Sequence, residues 1–177
     1  LIFFTIPLLF SLYLSFTEWG GFDLTLIEWV GLKNYKALFA ADSTFLHPIL
    51  TNTFVFAFGT VLISFVIALA VSYTITRLRF EGFWRTLYFL PTVTTVVAVG
   101  NVWLYLYNPT NGLINAVLNK LGVQSIKFLD DPTTALASII VVGGWLGIGS
   151  SVLILTAGLK AIPEDYYEAA TLEGAGL

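Results

Sequence analysis

Long apolar stretches without a charged residue alternate along the chain with shorter charged segments. A helix needs about 20 apolar residues to cross the hydrocarbon core of a bilayer, so each long stretch predicts a membrane span. The third stretch is too long for one span, and the turn residues Asn108 to Gly112 divide it. The predicted spans are therefore about residues 1–17, 48–76, 86–107 and 132–159. Asp131-Pro132 is interpreted as the N-cap and first helical position of the last span.

Two shorter helices are predicted outside these spans. One follows the turn, where apolar residues have the spacing of an amphipathic helix on the membrane surface, at positions 113, 114, 117, 118 and 121. The other follows Lys160, because Pro163 suits a first helical turn and the acidic residues after it face the positive end of the helix dipole. A helix of about ten residues would reach Glu173, where Gly174 and Gly176 end it.

The density of Lys and Arg in the connecting segments predicts the orientation of the spans. The link at 77–85 has three Arg in nine residues, whereas the segments at 18–47 and 108–131 have two Lys each. The link and the segment at 160–177 are therefore predicted to be cytoplasmic, and the two longer segments to lie outside. Residues 1–17 are interpreted as a span rather than a signal peptide, because neither a basic start nor an A-x-A cleavage site is present.

The composition excludes several classes of protein. Hydrophobic residues make up 57% of the chain and charged residues 11%, against about 25% charged residues in a soluble domain, so a water-soluble globule is excluded. With no Cys and one His, neither a thiolate nucleophile nor a multi-histidine metal site is possible. That residue, His47, is interpreted as an interfacial or capping residue. The net charge of −3 argues against nucleic-acid binding, and no phosphate-binding loop is present.

Small and polar residues inside the spans are the candidates for packing or for a substrate path. Gly143, Gly147 and Ser151 recur at i, i+4 and i+8 in the last span, a spacing that lets two helix backbones approach closely. Glycine also permits a bend at mid-membrane, where transporters often bind substrate. Pro91 removes a backbone hydrogen bond from the third span and kinks it if it lies beyond the first turn. The candidates for the substrate path are Asn101, Trp145, Ser150 and Ser151.

The tail carries a motif of a known family. Glu168-Ala169-Ala170-x-x-Glu173-Gly174-Ala175, after Ile162-Pro163, resembles the EAA motif of permease subunits in bacterial binding-protein-dependent ABC importers, with Glu173 in place of Asp. Further matches follow the family's order upstream: Gly31-Leu32-Lys33-Asn34-Tyr35, Asn52-Thr53, Arg85-x-x-x-Phe89-Leu90-Pro91, Trp103, Asn108-Pro109-x-x-Gly112-x-x-Asn115, Trp145 and Ala157-Gly158-Leu159. The series most resembles the first-named member of the heterodimeric permease pair of the maltose, glycerol-3-phosphate and multiple-sugar type.

The resemblance implies an all-α polytopic membrane bundle with a core of about six spans. Residues 1–177, which contain no Met, are expected to be one transmembrane domain truncated at both ends, with four of those spans. The tail helix would be the coupling helix, which docks in a cleft of a cytoplasmic ATP-binding subunit. Glu168 would make polar contacts there, Ala169 and Ala170 would allow close approach, and Gly174 would allow the turn. Glu173 is counted with these residues in the coupling motif.

The implied protein is a transport subunit of the bacterial cytoplasmic membrane without catalytic chemistry. ATP and Mg²⁺ would bind the partner subunit, and no cofactor would bind this chain. The other implied partners are a second permease subunit, a solute-binding protein outside the membrane and a sugar substrate. Two alternatives stay open: a membrane-integral enzyme or an ion-coupled carrier whose active groups lie beyond this sequence. The spans contain no charged residue, which argues against the carrier.

Overall fold

The computed structural model describes residues 2–23, 27–40 and 43–175. They form two compact units, Leu1–Phe54 and Val55–Leu177. In chain order the elements are α1 (Ile2–Leu14), β1 (Thr17–Glu18), β2 (Glu28–Trp29), α2 (Lys33–Leu38), a π-helical turn (Phe45–Leu50), α3 (Thr51–Ile75), α4 (Glu81–Val93), α5 (Val96–Leu106), α6 (Leu113–Lys120), α7 (Pro132–Lys160) and α8 (Glu164–Leu172).

The first unit joins a short apolar helix to a small hairpin. Helix α1 has 13 residues and ends at Leu14, three positions before the predicted end of the first span at 17. The chain then enters the antiparallel pair β1–β2, in which Thr17 lies opposite Trp29. The rings of Phe16 and Trp29 stack at 5.6 Å between centroids. Aromatic stacking and backbone pairing therefore replace the last predicted turn of helix.

Among the described residues, two helices are long and apolar enough to cross a membrane. They are Phe45–Ile75, with 31 residues, and Pro132–Lys160, with 29 residues. The second starts as predicted: Asp131 is its N-cap, and the Asp131 side chain accepts a hydrogen bond from the Thr133 backbone N–H. Helix α7 is continuous, so its glycines do not unwind it.

The predicted span at 86–107 is divided into two helices by a sharp bend. Helices α4 and α5 are together long and apolar enough to cross a membrane, but they meet at an angle of 91°. The break falls at Thr94 and Thr95, whose backbones are extended, three residues after Pro91. The pair also begins at Glu81, before the predicted start, because Glu81 and Arg85 form an i, i+4 ion pair within helix α4 instead of lying in a loop.

The core of the second unit lies between α3 and α7. Its buried apolar residues are Ala68, Ile75, Ile148 and Val152. A Cβ added at Gly143 would lie 2.7 Å from the Thr60 side chain, and one added at Gly147 would lie 3.1 Å from Ser64. The small-residue repeat of α7 therefore serves close packing against α3.

The outer faces of these helices are apolar and uncovered in the chain by itself. Phe58 on α3 and Ile154 on α7 are each 72% exposed, and Val96 on α5 is 79% exposed. Exposed apolar surface of this extent marks contact with lipid or with another subunit. The all-α bundle predicted for a membrane protein is confirmed.

Candidate coupling segment and transport cleft

Helix α8 follows the long helix α7 closely along the chain. Three residues separate Lys160, the last residue of α7, from Glu164, the first residue of α8, and Pro163 is extended at the start of α8. The helix runs to Leu172, close to the predicted end at Glu173. The predicted tail helix is therefore present. Gly176, the second predicted stop residue, lies outside the described residues.

The end of α8 is a Schellman motif centred on Gly174. Gly174 has a φ of +83°, a left-handed conformation that glycine adopts without the steric cost of a Cβ. Its backbone N–H donates to the Thr171 carbonyl at 3.1 Å, and the Ala175 N–H donates to the Ala170 carbonyl at 3.0 Å. These two bonds satisfy the last carbonyls of the helix and turn the chain sharply. Three residues of the EAA-like motif thus shape one turn.

The whole described segment 161–175 is exposed, including Glu168, Ala169, Ala170 and Glu173. Tyr166 is 69% exposed and Leu172 is 89% exposed. One face of α8 carries the side chains of Glu164, Tyr167, Glu168, Thr171 and Leu172. The segment thus presents an acidic, partly apolar helix that nothing in the described part of the chain covers.

An ion cluster lies at the base of α8. The Glu81 carboxylate, in the first turn of α4, pairs with the Lys160 ammonium and lies 3.6 Å from the Arg85 guanidinium. The Glu81 side chain is 19% exposed, whereas those of Arg85 and Lys160 are 40% and 53% exposed. The contact places the link at 77–85 and the tail at the same end of the bundle, as the predicted orientation requires. The ion pair between Glu81 and Lys160 was not predicted from the sequence. The sequence feature that could have indicated it is the single acidic residue, Glu81, in the basic link.

Helices α4 and α7 pack antiparallel and closest at Gly149. A Cβ added at Gly149 would lie 2.6 Å from the Tyr88 carbonyl oxygen and 3.0 Å from the Phe89 Cα, in addition to meeting the Thr92 hydroxyl. The Thr92 hydroxyl donates to the Leu146 carbonyl at 3.3 Å. Backbone approach at this distance is available only to glycine. Helix α4 is therefore held to α7 at both ends, by packing near Gly149 and by the ion cluster.

A cleft beside α5 and α7 is lined by apolar and aromatic side chains. It encloses about 390 Å³, and its lining residues are Phe56, Gly100, Trp103, Leu104, Tyr107, Leu129, Ile139, Val142, Gly143 and Leu146. The ring of Trp145 meets that of Trp103 at 5.6 Å between centroids, nearly edge to face. Of the predicted path residues, Trp145 thus adjoins the cleft.

The other three predicted path residues do not line this cleft. Asn101 is exposed on α5. Ser150 is exposed, and its hydroxyl donates to the Gly147 carbonyl in its own helix at 3.2 Å, while Ser151 is half-buried. The structure therefore does not bring the four together into one site. Trp103, which lines the cleft, was noted in the sequence as a match to the family and not as a path residue.

The Gly31-to-Tyr35 match fastens α2 to the segment that follows α1. The Asn34 side-chain amide donates to the Ser15 and Thr17 carbonyls at 3.0 and 2.9 Å, and the hydroxyls of Tyr35 and Ser15 lie 2.7 Å apart. Lys33 pairs with Glu18 at 2.6 Å, and the hydrogen bond from Lys33 lowers the pKa of the Glu18 carboxyl. These residues organise the first unit.

The Asn108-to-Asn115 match organises the turn after α5 in a similar way. The Asn108 carboxamide oxygen accepts hydrogen bonds from the Thr110 and Asn111 backbones at 2.9 and 2.8 Å. Asn115, 1% exposed, donates to the Ile126 carbonyl at 3.0 Å and accepts from the Ile126 N–H at 2.8 Å. The buried amide thus pairs with the backbone of a distant segment, which gives the match a structural role.

Together, the fold and the exposed helix define an all-α polytopic membrane protein with a short exposed helix at one end. No protein-family profile matches the chain. It is 31% identical over 182 residues to the probable ABC transporter permease protein YurN of Bacillus subtilis, with 99% of this chain and 61% of YurN covered. It is 37% identical over 178 residues to the probable ABC transporter permease protein YesP of the same organism, with 99% and 56% covered.

A third relative names a sugar. The chain is 30% identical over 181 residues to the trehalose/maltose transport system permease protein MalF of Thermococcus litoralis, with 100% of this chain and 59% of that protein covered. The chain thus spans about three-fifths of the length of these relatives. The predicted resemblance to the permease subunits of ABC transporters for sugars and glycerol 3-phosphate is confirmed.

A solved structure shows the same fold. The crystal structure of a bacterial ABC transporter involved in the import of the acidic polysaccharide alginate superimposes with a TM-score of 0.76. Its matched chain is 21% identical, and the alignment covers 99% of this chain and 58% of that one. The bundle of α3, α4, α5 and α7 is therefore an ABC permease fold.

Proposed function

We propose that the chain is part of the transmembrane subunit of an ATP-driven ABC importer that moves a sugar or related carbohydrate across the bacterial cytoplasmic membrane. The observation that carries the proposal is α8, a helix with the EAA-like sequence that stands uncovered directly behind a membrane-spanning helix. The relatives named above are ABC transporter permease proteins, and their alignments cover nearly the full length of this chain. This similarity supports the same conclusion.

Helix α8 is proposed to dock in a groove of a cytoplasmic ATP-binding subunit. An isolated helix of nine residues is marginally stable in water, so an exposed helix of this length gains stability from a partner groove. Ala169 and Ala170 permit close approach, and Glu168 and Glu173 offer carboxylates to cationic groups of the partner. ATP and Mg²⁺ bind that partner in this proposal, and this chain holds no cofactor.

Transport follows by alternating access. ATP closes the dimer of ATP-binding subunits, the docked coupling helices move together, and the spans reopen towards the outside, where a solute-binding protein delivers sugar. This chain is the first-named member of a heterodimeric permease pair. Both subunits of the pair line the substrate path. The aromatic faces of Trp103 and Trp145 beside the cleft are what supports a place for sugar, since the lining of the cleft is otherwise apolar. Asn101, Ser150 and Ser151 remain proposed path residues.

The test is a substitution that alters the turn after α8. Gly174→Val places a β-branched side chain at a φ of +83°, where an L-residue costs about 1–2 kcal/mol, and it misdirects the docking turn. Gly122→Val is the matched control, because Gly122 has a φ of +80° and also has open space around it but lies in a segment predicted to be outside. Both variants are assembled with the partner subunits in proteoliposomes, and sugar uptake and ATP hydrolysis are measured.

We expect G174V to lower uptake per ATP hydrolysed and G122V to leave that ratio unchanged. Undiminished uptake by G174V at equal assembly contradicts the coupling role of the turn. A wild-type assembly that takes up no sugar on addition of ATP and loaded binding protein contradicts the proposed function as a whole.

A further inference from the structure

The Glu81 carboxylate joins two helices at the point where α8 leaves the bundle. Lys160 is the last residue of α7, and α8 begins at Glu164. Glu81 is in the first turn of α4 and pairs with Lys160 as well as with Arg85. The Glu81 side chain is four-fifths covered, at 19% exposure, whereas the side chains of Lys160 and Arg85 are 53% and 40% exposed. The carboxylate is therefore the shielded member of the cluster.

The ion pair with Lys160 is the side-chain contact described between the first turn of α4 and the end of α7. The neighbouring aromatic residues Phe83 and Trp84 are 63% and 37% exposed. The close backbone packing between the two helices lies further along, where Gly149 meets Tyr88 and Phe89. Loss of the Glu81 contacts would therefore release the start of α4 while leaving the packing near Gly149 intact.

Helix α4 leads from this point to the cleft. It ends at Val93, and after the 91° break α5 carries Trp103, whose ring meets that of Trp145. A movement of α8 also moves the end of α7, because only three residues connect the two helices. The movement is passed on to α4, and from α4 to the cleft, if the start of α4 moves together with the end of α7.

We propose that Glu81 is a positioning residue for energy coupling: its carboxylate, held between Lys160 and Arg85, makes α4 move with the coupling helix. The inference rests on the proposed function. Glu81 is the acidic residue of the basic link at 77–85, and it is not one of the residues that carry the resemblance to the permease family. The relevant quantity is the number of sugar molecules moved per ATP hydrolysed, because Glu81 touches neither the cleft nor the docking face of α8.

The test uses single variants and a charge exchange in the assembled transporter. Glu81→Gln and Lys160→Gln each remove one partner of the ion pair, and the double exchange E81K/K160E restores an opposite-charge pair with the same net charge. Lys120→Gln is the control, since Lys120 also lies in the last turn of a helix but makes no ion pair among the described residues. Uptake and ATP hydrolysis are measured on the same proteoliposomes, after the amount of assembled complex has been equalised.

We expect E81Q and K160Q to lower uptake per ATP by about fivefold, the lower end of typical coupling between two sites. The exchange E81K/K160E should recover most of the loss, and K120Q should match the wild type. The inference is overturned if the single variants keep the wild-type ratio, if uptake and hydrolysis fall in proportion, or if the exchange rescues nothing. A wild-type assembly without ATP-driven uptake refutes the proposed function, and this inference with it.

Discussion

Gly149 provides the sharpest test of how α4 and α7 pack. In Gly149→Ala the new Cβ meets the Tyr88 carbonyl oxygen at 2.6 Å and the Phe89 Cα at 3.0 Å. These are backbone atoms of a helix and cannot rotate away as a side chain can, so the two helices must separate. The Thr92 hydroxyl, which donates to the Leu146 carbonyl, is displaced as well.

The magnitude follows from two opposing effects. Overpacking of a tight contact costs about 1–3 kcal/mol, and the backbone nature of this contact places it near the upper end. Alanine is favoured over glycine inside a helix by about 1 kcal/mol. The net loss is therefore about 2 kcal/mol. Gly158→Ala, in the same helix, is the matched control, because a Cβ added there meets nothing within 4 Å and only the favourable effect remains.

The assay is thermal unfolding of the purified assembly in one detergent, followed for the wild type, G149A and G158A. We expect a lower Tm for G149A and an unchanged or higher Tm for G158A. A shift of about 2–4 °C per kcal/mol is typical of a protein of this size. A Tm for G149A equal to or above that of G158A would refute the close approach of the two helices.

Two further substitutions test the segments outside the spans. Asn115→Ala removes the partner of the half-buried Ile126 N–H and C=O, and we expect a loss of about 2 kcal/mol in the free energy of unfolding; Asn119→Ala, whose exposed side chain is hydrogen-bonded to Ser125, should cost far less in the same denaturation experiment. Asp131 caps α7, and the hydrogen bonds from Thr133 lower its pKa. Its stabilisation is thus present above the ordinary carboxyl pKa and is lost as the pH falls through the lowered value. Asp131→Asn should keep the cap and remove this acid dependence, whereas Asp131→Ala should lower Tm at neutral pH; equal acid dependence of Tm in wild type and D131N would contradict the assignment.

The predictable parts of the fold are those with a local physical cause. The apolar runs of α3 and α7 are long enough to identify both helices, and Asp131-Pro132 marked the start of α7 correctly. The end of α8 was predictable from Gly174, because a left-handed turn requires a residue without a Cβ. The break between α4 and α5 was only hinted at by Pro91: the prediction allowed a kink but not a turn of 91°.

The candidate site also has a part that could be predicted from local sequence and a part that could not. The EAA-like segment is contiguous, so its residues and its helix could be named from the sequence, and its docking role remains a prediction to test. The substrate path is made of side chains from separate helices, and the four candidates chosen by polarity and position are not gathered into one cleft. Trp103 adjoins Trp145 only because α5 turns away from α4.

The sequence by itself identified the apolar segments of a membrane protein, the long helices α3 and α7 and the tail helix α8, because length, hydropathy, capping and glycine conformation act over a few neighbouring residues. Only the tertiary structure decided that Glu81 holds Lys160, that Gly149 lies against the α4 backbone, and that two tryptophans 42 positions apart meet beside a cleft, Trp103 and Trp145. These contacts depend on how whole helices cross, which is set by the summed packing of many side chains and is written in no single stretch of residues.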